Sequence, residues 1–200
     1  MIGSQPDQVE PVATALGVLS LRNETAADDA FLLSLFESVK GPEMAAIPVP
    51  DAMRRQLLAM QYQAMTAAYR SAFPAGRFSI ATQNDMPIGR LITDQTACRF
   101  LIVYIALRPE WRGRGLATAL MTAVLQRPKQ SGLRCEATVA IGNLASLRLW
   151  SRLDFQERER SMGCLLAQTA RDVSAEDARS LPVRPGRPAA ARAARGWPPG

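Results

Sequence analysis

Histidine is absent from this 200-residue chain, lysine occurs only at Lys40 and Lys129, and aromatic residues make up 6% of it. Without histidine there is no His-containing metal site and no imidazole base. Cys98, Cys135 and Cys164 are odd in number and lack paired spacing, which argues against a disulfide framework or a zinc site and fits a reducing cytoplasm. No apolar run reaches membrane-spanning length, and the opening stretch MIGSQPDQVEPVATALGVLSL carries acids where a secretory leader needs positive charge. A G-x-x-x-x-G-K-[ST] phosphate loop is also missing.

Arginine, by contrast, is plentiful, and the net charge is +6. Four of those charges, on Arg184, Arg187, Arg192 and Arg195, lie in LPVRPGRPAAARAARGWPPG with no acid among them, so the rest of the chain is nearly balanced. That ending has too few large apolar residues to bury and reads as a disordered, solvated tail rather than a specific nucleic-acid binder. With 48% hydrophobic residues the remainder suffices for one full core. The expected organisation is a flexible segment over 1–16, one domain over 17–170 and a disordered Arg/Pro/Ala-rich tail over 171–200.

Val18 to Arg22 reads as a strand, and Thr25-Ala-Ala-Asp28 as a capping box opening a helix to about Val39, stopped by Gly41-Pro42. A linker to Pro50 precedes a long helix from Ala52 to about Ser71, with Met53, Leu57, Met60, Met65 and Tyr69 as candidate inward positions. Phe78–Thr82 and Ile88–Thr93 form a hairpin around Gln83-Asn84-Asp85. The chain then reaches its most informative stretch, LIVYIALRPEWRGRGLATALM.

Here an apolar strand, Leu101 to Leu107, runs into a Gly-Arg-rich turn and out into a helix with Leu116, Ala119, Leu120 and Val124 at helical spacing. Gly113 and Gly115 remove two Cβ atoms, so the backbone can take unusual angles and approach a ligand closely. The bare N–H groups at the helix start sit at the positive end of its dipole, and Arg112 and Arg114 add full charges. Together they make an anion cradle suited to phosphate or pyrophosphate. A dinucleotide fingerprint does not fit, because Gly113-x-Gly115-x-x-Thr118 lacks the third glycine and no acid ends a following strand.

Arg112-Gly113-Arg114-Gly115-Leu116-Ala117 resembles the R/Q-x-x-G-x-G/A signature of the GNAT superfamily of N-acetyltransferases. Asn143 to Phe155, NLASLRLWSRLDF, resembles that family's second cofactor segment, N-x-x-A-x-x-L-Y-x-K-x-G-F. Within the family, MQYQAMTAAYRSAFP is similar to a small bacterial branch whose acceptor is unknown. The resemblance covers residues 17 to 168. It implies an α/β (α+β) fold with a mixed central sheet of about seven strands and about four helices, the fourth and fifth strands splayed apart around the pantetheine arm of acetyl-CoA.

By this resemblance the backbone N–H groups of Arg112, Gly113, Arg114, Gly115, Leu116, Ala117 and Thr118 hold the CoA pyrophosphate. The strand end at Leu107 pairs with the pantetheine amides, and Asn143 bonds the arm near the thioester. Asn143 is also placed to cap the helix it precedes. The family commonly uses a Tyr to protonate the departing thiolate, and here Trp150 occupies that position. An indole N–H donates a hydrogen bond but releases no proton at neutral pH.

Asp154, where the family has Gly, must take the turn's backbone angle, which Asp tolerates better than most residues. Bases are scarce. Glu136 is one candidate, alternatively a solvated or Arg-paired acid, Glu43 in the linker between the first two helices is another, and a water held by backbone carbonyls is the third. Tyr104 either lines the cleft or packs within the sheet.

Two function classes follow: an acetyl-CoA-dependent transferase acting on a small-molecule or peptide amine by direct attack on the thioester, and an acyl-CoA-binding sensor or degenerate module with little turnover. Neither involves a metal, a membrane or specific nucleic acid, and the resemblance allows a homodimer.

Overall fold

The structure, a computed structural model, describes residues 10–140, 142–161 and 164–169. One sheet organises them. Its strands are β1 (Val12–Thr14), β2 (Gly17–Asn23), β3 (Arg77–Gln83), β4 (Met86–Gln95), β5 (Arg99–Leu107), β6 (Arg134–Ala140), β7 (Phe155–Ser161) and β8 (Cys164–Thr169), in the order β1-β2-β3-β4-β5-β6-β8-β7. The four α-helices are α1 (Asp29–Ala45), α2 (Asp51–Ala72), α3 (Leu116–Gln130) and α4 (Leu144–Arg152).

The mixed sheet with its four helices matches the expected fold, with β1 as an eighth strand. β1 lies within the stretch expected to be flexible. It is held by a tight turn in which the Thr14 hydroxyl donates to the Gly17 carbonyl and accepts from the Leu16 N–H. The tail expected to be disordered, 171–200, falls outside the described residues.

Each face of the sheet carries its own core. On one side Leu32 and Phe36 of α1 and Leu58 and Tyr62 of α2 bury Ile80 of β3. On the other, Leu116, Leu120, Met121, Val124 and Leu125 of α3 pack with Leu149 and Trp150 of α4 over Leu91, Phe100, Ile102 and Leu107. The stripe predicted for α3 faces inward as its spacing requires.

Two helical expectations change. Gly41-Pro42 does not stop α1, which continues to Ala45. Pro42 removes one N–H, but Met44 beyond it is buried, and Arg54 of α2 donates to the carbonyls of Met44, Ile47 and Val49, satisfying the acceptors that a helix end leaves open. Glu43 therefore lies on α1, exposed and paired with Lys40 at 2.8 Å, rather than in a linker. On α2, Leu58 and Tyr62 are the buried residues, whereas Met53 and Met60 are exposed; Leu57 and Met65 pack at the margin of the core. The inward stripe is offset because Tyr62 must reach Asp29 of α1, to which its hydroxyl donates at 2.7 Å.

The hairpin forms as expected, with Asn84 and Asp85 both at positive φ, the conformation that two-residue hairpin turns demand.

Candidate active site

β5 and β6 form a parallel ladder, with registered pairs running from Arg99↔Arg134 to Ile102↔Ala137. Beyond that point they part. Tyr104 to Leu107 keep β4 as a neighbour, and Thr138 to Ala140 keep β8. The polar groups on the β6-facing side of β5 are thus left for a ligand in the gap, because a buried backbone group requires a partner.

At the end of β5 the chain makes one 3-10 turn, Pro109–Trp111, and enters the glycine-rich segment. Gly113 and Gly115 have φ of +72° and +79°, the left-handed region that favours glycine. A Cβ on either would meet nothing within 4 Å, so the requirement lies in the backbone angle and the space above is open. Among the described residues, none of the N–H groups of residues 113–118 has an acceptor, and the first bond of α3 runs from Ala119 N–H to the Gly115 carbonyl. Six unpaired donors at a helix N-terminus, flanked by Arg112 and Arg114, suit a diphosphate. Arg114 lies 5.6 Å from the ring centre of Trp111, and Arg112 Nε donates to the Leu107 carbonyl at 2.7 Å.

Asn143 sits at the N-cap of α4, and its Oδ1 accepts from Ser146 N–H at 3.0 Å, which leaves the amide NH2 as the available donor. Trp150 is only 3% exposed and stacks at a tilt on Phe155, 5.0 Å between ring centres, within the α3-side core. Asp154 takes φ of +63° and so reproduces the turn normally given to Gly. Glu136 is buried and ion-paired with Arg134 at 2.7 Å and, more loosely, with Arg99 at 3.9 Å. It stands opposite Leu101, where β5 and β6 are still joined.

Tyr104 lies where they are not. The register between β4 and β5 shifts, pairing Ile92 with Tyr104 and Thr93 with Ile102, so Val103 is an unmatched bulge residue. A bulge breaks the alternation of a strand. Phe100 and Ile102 before it, and Ile105 and Leu107 after it, all pack on the α3 side, while Tyr104 is turned to the α2 side, its ring 6.1 Å from that of Tyr69. Burial, and secondarily Tyr69, push its phenol up to about 12, although Arg90 and Arg112 act in the opposite direction. Burial raises Tyr69 too.

Beneath this aromatic pair is a charged group that the sequence reading did not single out. Arg90 of β4 is 2% exposed and donates to both carboxylate oxygens of Glu24, at 2.9 and 3.1 Å, while Arg70 of α2 donates to the same carboxylate at 2.7 Å. One signal was available: a lone arginine inside the apolar strand Ile88–Thr93 must find a buried partner.

No helix among the described residues is long and apolar enough to cross a membrane, and none of these residues form a cluster of three or more His, Cys, Asp and Glu able to hold a metal.

Comparison with known proteins bears on the fold and the family. An uncharacterized N-acetyltransferase of Methanocaldococcus jannaschii is 29% identical over 99 residues, 44% of this chain, and the chain spans 42% of that relative's length. Among solved structures, RimJ of Mycobacterium smegmatis in complex with a CoA disulfide superposes with a TM-score of 0.60 at 19% identity, over 96% of this chain and 95% of that one. The PaiA N-acetyltransferase of Thermoplasma acidophilum in complex with coenzyme A gives 0.56 at 16% identity, over 76% and 98%. At these identities the likeness is one of fold. The acetyltransferase (GNAT) family model matches residues 47–155, more than half of the chain and inclusive of the cradle, and the chain belongs to that family of acyltransferases.

Proposed function

We propose that the protein transfers the acetyl group of acetyl-CoA to a primary amine by direct attack on the thioester. The observation that carries this reading is the run of six N–H groups over residues 113–118, open above and set at the mouth of the β5–β6 gap. Leu116, Ala117 and Thr118 offer the first-turn donors of α3, and Gly113 to Gly115 those of the preceding loop, to the CoA diphosphate; the Arg112 N–H, expected to join them, is instead taken by the Pro109 carbonyl at 3.1 Å, because it closes the 3-10 turn. The free edge of β5 up to Leu107 pairs with the pantetheine amides, and the Asn143 NH2 donates to the arm. Arg112 shares the Leu107 carbonyl with that arm, since a carbonyl has two lone pairs.

Bound acetyl-CoA supplies the activated acyl group, and the chain contributes position and charge stabilisation. Holding the reactants in line is the larger part of such catalysis, and backbone N–H groups along β5 are suited to charge developing on the carbonyl oxygen. Glu136, held by Arg134 and Arg99, is poorly placed as a base. The amine therefore enters neutral, its proton passing to solvent. The acceptor is a small-molecule or peptide amine; RimL, a ribosomal L7/L12 alpha-N-protein acetyltransferase of similar fold (TM-score 0.55), illustrates the latter class.

Calorimetry with acetyl-CoA on the intact chain and on Gly115→Glu tests the reading, with CoA release from a panel of amines followed on the same samples. The glutamate places a carboxylate and a strained φ in the cradle, so binding is expected to fall by at least about a hundredfold, equivalent to some 2.7 kcal/mol. Equal binding by both forms would remove the cradle from the site. Binding without release for any amine would favour the sensor reading, which the burial of Trp150 supports.

A further inference from the structure

The departing sulfur needs a stabilising donor, and Trp150, at the position from which the resemblance expects a phenol, is buried against Phe155 on the α3 side of the sheet. We propose that Tyr104, turned to the opposite face by the bulge at Val103, donates a hydrogen bond from its hydroxyl to the sulfur of coenzyme A and stabilises the thiolate as the C–S bond breaks. This inference rests on the acetyl-transfer reading and assigns a catalytic residue to it.

Three observations converge on Tyr104. It lies two residues beyond Ile102, the last residue of β5 paired with β6, and hence where the gap opens. Among the described residues its hydroxyl has no hydrogen-bond partner, whereas that of Tyr62, also on the α2 side, is satisfied by Asp29 at 2.7 Å. Its charged and titratable neighbours come from three sides: Tyr69 of α2, Arg90 of β4, and Arg112 of the cradle. Arg112 ties the phenol's surroundings to the segment assigned to the diphosphate.

The chemistry follows from the proton that Tyr104 keeps. Burial pushes its phenol up to about 12, so it is neutral throughout the working range and always able to donate. So weak an acid holds its proton in an O–H···S bond instead of giving it up to a thiolate. The balance is closed without it: nitrogen forms the C–N bond, the C–S bond breaks with its electron pair on sulfur, nitrogen's surplus proton goes to solvent, and the thiolate is protonated by solvent on release. A hydrogen bond to a charged acceptor is worth about 1.5–3 kcal/mol, about ten- to a hundredfold in rate.

The test is an ultraviolet titration of the CoA thiol, free and bound, with wild type and Tyr104→Phe. Wild type is expected to lower the bound thiol's pKa by about one unit or more relative to Tyr104→Phe, at equal acetyl-CoA affinity and with the slowed turnover confined to kcat. A bound thiol that titrates alike in both proteins, with CoA bound by both, overturns this assignment and leaves the acetyl-transfer reading intact. Failure of wild type to bind CoA overturns both. Wild type alone supplies a second reading independent of how the variant folds: a bound thiol no more acidic than free CoA also overturns the assignment.

Discussion

Trp150 carries two ring systems' worth of apolar surface into the core, and Phe155, at 5.0 Å, closes over it. Its side chain is therefore part of what joins α4 to the sheet, whatever chemistry other members of the family run at this position. Trp150→Ala is expected to cost about 3–5 kcal/mol of stability, the usual loss for a large aromatic removed from a packed core, and urea unfolding followed by circular dichroism measures it. A cost under about 1 kcal/mol, the range of surface changes, would mean that the indole is not a core element. At this scale the local geometry of the candidate site was legible. The left-handed turn at Gly113 and Gly115 and the N-cap at Asn143 depend on backbone and spacing, which a string of letters preserves. Tyr104 was ambiguous because LIVYIAL is apolar on every residue, so no alternation reveals the bulge at Val103; only the shifted pairing with β4 does.

The helices show the same division between local and long-range causes. The capping box at Thr25 and Asp28 is readable in four letters, and in the structure the Thr25 N–H and hydroxyl both donate to Asp28 Oδ2, at 2.8 and 2.9 Å. Arg22, which no local motif announces, grips the same carboxylate at 2.6 and 2.8 Å. That guanidinium is the main reason why the Asp28 carboxyl is held far below its usual range, with the Thr25 bonds adding to it and burial opposing. A depressed folded pKa contributes stability that is complete above the unfolded value of about 3.9 and is lost as pH falls through it toward the folded value.

Asp28→Asn should therefore lower stability at neutral pH by about 1 kcal/mol, a figure kept small because Arg22 is partly solvated. It should also flatten the decline between about pH 5 and about pH 2. Urea midpoints across that range would show it, and parallel curves for the two proteins would refute the assignment. The continuation of α1 through Gly41-Pro42 was illegible for the complementary reason: Arg54, ten residues beyond Met44, caps that helix from another element.

Across the whole molecule, α1 and α2 must be held to the sheet at a fixed angle, and on the proposed function that face, across the sheet from α3, is the one open to the acceptor. Apolar packing of α1 and α2 over Ile80 is non-directional. The directional fastening is Glu24, in the connection between β2 and α1, which takes Arg90 from the middle of β4 and Arg70 from the last turn of α2 on one carboxylate. Phe78 of β3 flanks both guanidinium groups, at 4.6 Å from Arg70 and 5.8 Å from Arg90. Two strands, a helix and the β2–α1 connection thus meet at one carboxylate.

Removing Arg90 strips Glu24 of its buried partner and leaves only the half-exposed Arg70. Arg90→Met, which keeps most of the stem volume, is expected to destabilise by about 3–5 kcal/mol, as for other buried pairs broken on one side. Arg70→Met, on the solvent side, should cost about 1 kcal/mol or less. The ordering is the decisive part. If the two substitutions cost the same, Glu24 is solvated well enough not to need Arg90, and the cluster fastens nothing. If Arg90→Met is much the worse and also weakens acceptor binding while sparing acetyl-CoA affinity, then the charge beneath Tyr69 and Tyr104 holds the acceptor side independently of the cradle on the far edge of the same gap.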